Sequence, residues 1–118
     1  MFRLLVVVTA VLTLSATAAD AWSRVTSEAD FRARLVDRLQ VAEGRGHVTW
    51  HSDGRVTGEW DGQAMRGRWQ WHQGFVCRNL IIGTTETGTN CLLVETRGNQ
   101  VRGTQNQGRG TATVTTLR

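Results

Sequence analysis

Polar and apolar residues alternate with period two over most of this chain. Gly67, Trp69 and Trp71 share one parity, and Arg68, Gln70 and His72 share the other. That is the pattern of a strand with one buried face. His72, Gln73 and Gly74 then turn the chain, and residues 75–82 read as a strand apolar on both faces, hence central. A third strand begins at Cys91, after the Gly- and Thr-rich residues 84–89, which are expected to form the one longer loop and a mobile rim.

The same period extends in both directions. Val48 and Trp50 alternate with His47, Thr49 and His51, and Asp53-Gly54 is a two-residue hairpin signal. Val56, Gly58 and Trp60 resume the alternation, Asp61-Gly62 is a second turn, and Met65 and Gly67 lead back to the tryptophan strand. Gly58 and Gly67 either make room for tryptophans or mark bends of a curling sheet. Residues 39–41 form a short strand at the start, while residues 92–96, 101–105 and 111–117 complete the set around a Gly98-Asn99 turn. About eight short strands at regular spacing predict an all-β sandwich or barrel. Hairpins without long crossovers favour a small antiparallel up-and-down barrel, whose closure removes exposed edges.

One segment breaks the period. Ser27-Glu28-Ala29-Asp30 resembles a capping box with Asp in the Glu position, and Phe31, Leu35 and Leu39 follow at i, i+4 and i+8. The expectation is one short N-terminal amphipathic helix that closes an open end of the barrel.

The N-terminus reads as an export signal. Arg3 precedes an apolar run over residues 4–14 and small residues over 15–21, with cleavage after either Ala18 or Ala21. The run is short of the ~20 residues that span a bilayer. Residues 1–21 are therefore expected to leave residues 22–118 as a single β-barrel domain, periplasmic or secreted. In that compartment two cysteines favour a disulfide between Cys77 and Cys91. The bridge would close a loop of about 15 residues and stabilise by ~3 kcal/mol in the chain-entropy model.

Charge adds little. The net charge is +4, and the chain has arginines but no lysine. The arginines are spread along the chain rather than clustered, so a nucleic-acid interface is not expected. A solvated cationic surface, with a general attraction to anionic surfaces of the envelope, is the reading that remains.

Candidate chemistry centres on the aromatics. Trp50, Trp60, Trp69, Trp71 and Phe75, with Arg78, mark either a ligand-lining face or a packed core, since eight strands leave an interior barely filled by side chains or wide enough for one small ligand. His47 and His51 lie ~13 Å apart along a strand, too far to share a zinc ion, and no metal or cofactor is expected. Asp53 and Asp61 fall in turns, where carboxylates cap backbone groups. No nucleophile elbow, P-loop or dinucleotide fingerprint occurs, so enzymatic activity stays open with no motif behind it.

The run GRWQWHQGFVCRNL, with Phe31, Asp53-Gly54, Cys91 and a late Gly108-Arg109-Gly110, resembles a family of small exported bacterial proteins. Their pattern is G-x-W-x-W-x-x-G-aromatic-x-C-R followed by a second cysteine, met here at Gly67, Trp69, Trp71, Gly74, Phe75, Cys77, Arg78 and Cys91. The resemblance implies a lipocalin-like barrel. Members are often labelled dihydrodipicolinate reductase, which implies NAD(P)H-dependent reduction, although no catalytic residue carries over. Three functions follow as expectations: a binding or structural module of the cell envelope, an envelope inhibitor of the lysozyme-inhibitor type, or that reductase. The partner expected of the first is an anionic envelope component or a small apolar ligand.

Overall fold

Each run of alternating residues from Leu39 to Leu117 becomes a strand, and the strands close on themselves. The computed structural model describes residues 3–12 and 21–118. Eight strands form the ring: β2 (Leu39–Ala42), β3 (Gly46–Trp50), β4 (Arg55–Trp60), β5 (Gln63–His72), β6 (Phe75–Ile82), β7 (Thr85–Arg97), β8 (Gln100–Thr104) and β9 (Ala112–Leu117). Each pairs antiparallel with its sequence neighbour, and β9 returns to pair with β2. A two-residue strand β1 (Ser23–Arg24) adds to the far half of β7, opposite Thr96 and Glu95. The up-and-down barrel expected from the alternation is therefore present.

Period two decides what fills it. The register places Gly67 opposite Leu80, Trp69 opposite Arg78 and Trp71 opposite Val76, so these side chains share the inner face. Val56, Met65, Leu92, Val94 and Val101 join them in one buried cluster. Arg66, Arg68 and Gln70, on the other parity of β5, are exposed.

Tight turns explain the short connections. Asp61-Gly62 and Gln73-Gly74 have positive φ at both residues, the geometry of a type I′ hairpin whose twist matches its strands. Asp53-Gly54 behaves differently from the two-residue turn expected. Residues 51–54 form a four-residue loop closed by the Gly54 amide donating to the His51 carbonyl at 3.0 Å, with only Gly54 at positive φ.

The largest departure is at residues 84–89. They form no loop: β7 runs unbroken from Thr85, and the chain reverses at Gly83. Thr85, Thr87 and Thr89 are β-branched and suit an extended backbone even without apolar partners. Thr87 also bonds through its hydroxyl to the Leu80 backbone, where the β6–β7 register shifts between Asn79 and Ile81.

Gly58 and Gly67 have the second of the two roles weighed for them. A Cβ on Gly58 would strike the His47 carbonyl, and one on Gly67 the Asn79 carbonyl. Adjacent strands thus approach too closely for any side chain, as curling a short sheet into a barrel requires.

The helix forms as its caps suggest. α1 (Glu28–Arg34) starts with the Ser27 hydroxyl accepting from the Asp30 amide at 3.1 Å, and acidic residues occupy its first turn. It stops before Leu39, which begins β2. Residues 3–12 form neither helix nor strand, and their apolar side chains stand exposed, Leu4 by 91% and Leu12 by 89%. The small residues 15–20, which carry most of the expected cleavage segment, lie outside the described residues. No described helix is long and apolar enough to cross a membrane.

Candidate functional site

The barrel has one stoppered end. α1 lays Phe31 and Leu35 into it, both essentially without solvent contact. The Phe31 ring meets Trp50 at 5.9 Å, Trp69 at 5.1 Å and Trp71 at 5.6 Å, the first two edge-on. Edge-to-face pairs of this kind add ~0.5–1.5 kcal/mol each beyond burial. The Trp69 indole N–H donates to the His51 carbonyl at 2.8 Å, so the buried ring leaves no polar atom unmatched. The Arg32 guanidinium covers the same ring from outside at 4.9 Å.

Below this plug the interior is not filled. A cavity of about 340 Å³ lies inside the ring, with Leu80, Leu92, Val94 and Val101 among its apolar walls and Trp50 at its inner end. That volume is at the lower end of the range for small-molecule sites. Two polar groups on its wall stand out. Arg78, near the middle of β6, is joined to no described residue by a side-chain hydrogen bond or an ion pair, and burial lowers its pKa from the ordinary guanidinium value. Gln40 on β2 is only 3% exposed; its Oε1 accepts from the Thr115 hydroxyl at 3.0 Å, while its Nε2 has no partner among the described residues. A buried donor without a partner costs ~1–3 kcal/mol.

The cavity reaches the opposite end of the barrel, where Arg45, Trp60, Ile82 and Thr111 rim it. Arg45 stacks on Trp60 at 4.7 Å and forks onto Asp61 at 3.2 and 2.9 Å. That hydrogen-bonded pairing raises the pKa of Arg45 and lowers that of Asp61. Here β8 stops at Thr104 while β7 continues to Thr85, and α2 (Gln105–Gly108) occupies the gap. It is a turn rather than a true helix, since Asn106 and Gln107 both have left-handed backbone. Such residues cost ~1–3 kcal/mol each unless their surroundings hold them. Asn90 does so: its amide and the Asn106 amide clasp each other, with the Asn90 Oδ1 also accepting the Asn106 backbone N–H, each at 2.9 Å.

The candidate residues therefore divide. Trp50, Trp60 and Arg78 line the cavity, whereas Trp69 and Trp71 belong to the plug. Phe75 has the outward parity of β6 and lies beneath the Arg24 guanidinium at 4.9 Å. No protein-family model, curated protein or solved structure matches the chain. What the site can do must therefore be read from its own chemistry.

Cys77 and Cys91 are bonded to each other across β6 and β7, directly opposite in register. His47 is exposed, and the His51 ring lies 2.6 Å from the Thr57 hydroxyl; no group of His, Cys, Asp and Glu among the described residues could hold a metal ion. Asp53 caps the Arg55 amide as its turn position suggested, and its carboxyl is held below the ordinary range by the Arg55 side chain.

Gln40 and Arg45 were not visible as site residues from the sequence. The interior parity of Gln40 was a usable signal, because a polar side chain between Leu39 and Val41 on an inward position requires a partner.

Proposed function

We propose that this chain is an exported binding barrel, periplasmic or secreted, that holds one small, largely apolar molecule in its interior. The observation that carries this reading is the 340 Å³ cavity, stoppered by Phe31 at one end and rimmed by Trp60 at the other. A barrel selected for stability alone would pack that volume, because interiors are close-packed and voids destabilise. Export is supported by the apolar residues 4–12 standing outside the core, and by the disulfide, which persists in oxidising compartments.

Kinship with the small exported proteins of the G-x-W-x-W pattern is part of the proposal, and the motif acquires physical roles within it. Gly67 permits the close strand approach, Trp69 and Trp71 seat the plug, the two cysteines tie β6 to β7, and Arg78 enters the cavity. Native mass spectrometry of protein purified from the exporting cell tests the function. A retained small molecule, lost on denaturation, is the expected result. A chain that carries no adduct and binds no apolar probe would overturn it, and retention of a nicotinamide cofactor would point to the reductase instead.

A further inference from the structure

The cavity's fixed charge has one sign. Among the described residues its walls include Arg45 and Arg78 and no carboxylate. Arg45 is committed to Asp61, so Arg78 supplies the one guanidinium on the wall that no described carboxylate neutralises. Arginine stays protonated across the physiological range even when burial lowers its pKa. A half-buried, unpaired cation is costly, and a charged ligand group would offset that cost.

Elsewhere in this molecule many arginines are stacked or paired, and others, such as Arg66, stand exposed to solvent. Arg24 lies over Phe75, Arg97 and Arg102 lie over Trp22, and Arg102 also chelates Glu95. Arg78 stands apart from that pattern. Across the ring, four strands away in the order β6-β5-β4-β3-β2, Gln40 lines the same space, although its unmatched Nε2 is itself closed off from it. The remaining wall is mostly apolar.

We propose that the ligand is an amphipathic monoanion, a carboxylate with an apolar tail, whose head is bound by Arg78. The proposal rests on the binding reading above. A carboxylate suits the planar fork of one guanidinium. A dianionic phosphate would leave a second charge without a counterion, since Arg45 is already paired. The tail lies along Leu80, Leu92 and Val94 toward the plug or the rim.

The test compares octanoate, octanol and octyl phosphate by titration against protein purified from the exporting cell, freed of ligand. A charge-assisted hydrogen bond is worth ~1.5–3 kcal/mol, so octanoate should bind on the order of ten- to a hundredfold more tightly than octanol. Arg78→Met should abolish that preference, with octanoate falling to the affinity of octanol. Wild-type protein supplies a control that needs no variant: octanoate binding should weaken toward that of octanol as the ligand's own carboxyl protonates below about pH 5. Equal binding of octanoate and octanol at neutral pH overturns the anion proposal and leaves the binding barrel standing. Tighter binding of octyl phosphate overturns the monoanion assignment. Failure of all three probes counts against the binding barrel itself.

Discussion

The two ends of this barrel solve the same problem in opposite ways. At the α1 end, four aromatic rings and Leu35 pack together, and the buried Trp69 indole N–H has its acceptor. At the other end Trp60 and Ile82 are only half-buried and Asn106 and Gln107 adopt costly left-handed backbone, and the cavity between the two ends has an unpaired guanidinium in its wall. One end is built for stability, and the other gives some of it up. Sites that bind are where such local costs collect.

The largest expected effect is at the plug. Phe31→Ala and Trp69→Ala should each destabilise by ~3–5 kcal/mol, as buried aromatic truncations do. Trp71 is half-exposed, so its truncation should cost less than that of Trp69. Denaturation midpoints measure all three, and equal midpoints for Trp69→Ala and the parent would remove the distinction between the ends.

Next comes the curvature that brings the ends about. Gly67→Ala places a methyl group against the Asn79 carbonyl and should cost ~1–3 kcal/mol, although alanine is ordinarily tolerated in a strand. A neutral or stabilising result would show that β5 and β6 can separate at this point.

Along the cavity the order of effects inverts. Arg78→Met should leave stability within ~0.5 kcal/mol or raise it, because it removes a desolvated charge that no described residue pairs with. Loss of several kcal/mol would mean that Arg78 supports the fold. Trp60→Ala should unfold close to the parent and yet weaken ligand retention.

The smallest effect is electrostatic. Asp53 and Asp61 lie exposed in turns, held by Arg55 and Arg45 below the ordinary value of 3.8. A carboxyl with a depressed folded pKa contributes stability above its unfolded value and loses that contribution as pH falls through the folded one. Stability should be level above about pH 5 and decline below about pH 4. Asp53→Asn with Asp61→Asn should flatten the acid limb slightly, and an unchanged limb would assign the decline to other carboxylates.

Much of this contrast is legible in the sequence. Parity alone put Trp50 and Trp69 on one face, and Ser27 with Phe31 and Leu35 announced the plug. Thr85 to Thr89 misled because a strand without apolar residues and with Gly88 inside it has the composition of a loop. Its pairing with β6 is a tertiary effect that propensity does not encode. The cavity was illegible for a different reason. Whether interior side chains fill a barrel depends on strand tilt and stagger, which fix its radius, and no local pattern reports them. Arg78 could be placed on the inner face, but its lack of an acidic partner became visible only when β2 and β6 stood opposite each other.

The most direct measurement is a two-dimensional NMR titration of the uniformly ¹⁵N-labelled protein with octanoate, following side-chain N–H signals at both ends at once. The Gln40 amide, the Arg78 Nε–H and the Trp60 indole should shift in step, while the Trp69 indole, locked onto the His51 carbonyl, should not move. Shifts confined to Trp22, Trp69 or the outer face, with Gln40 and Arg78 silent, would contradict an interior binding site.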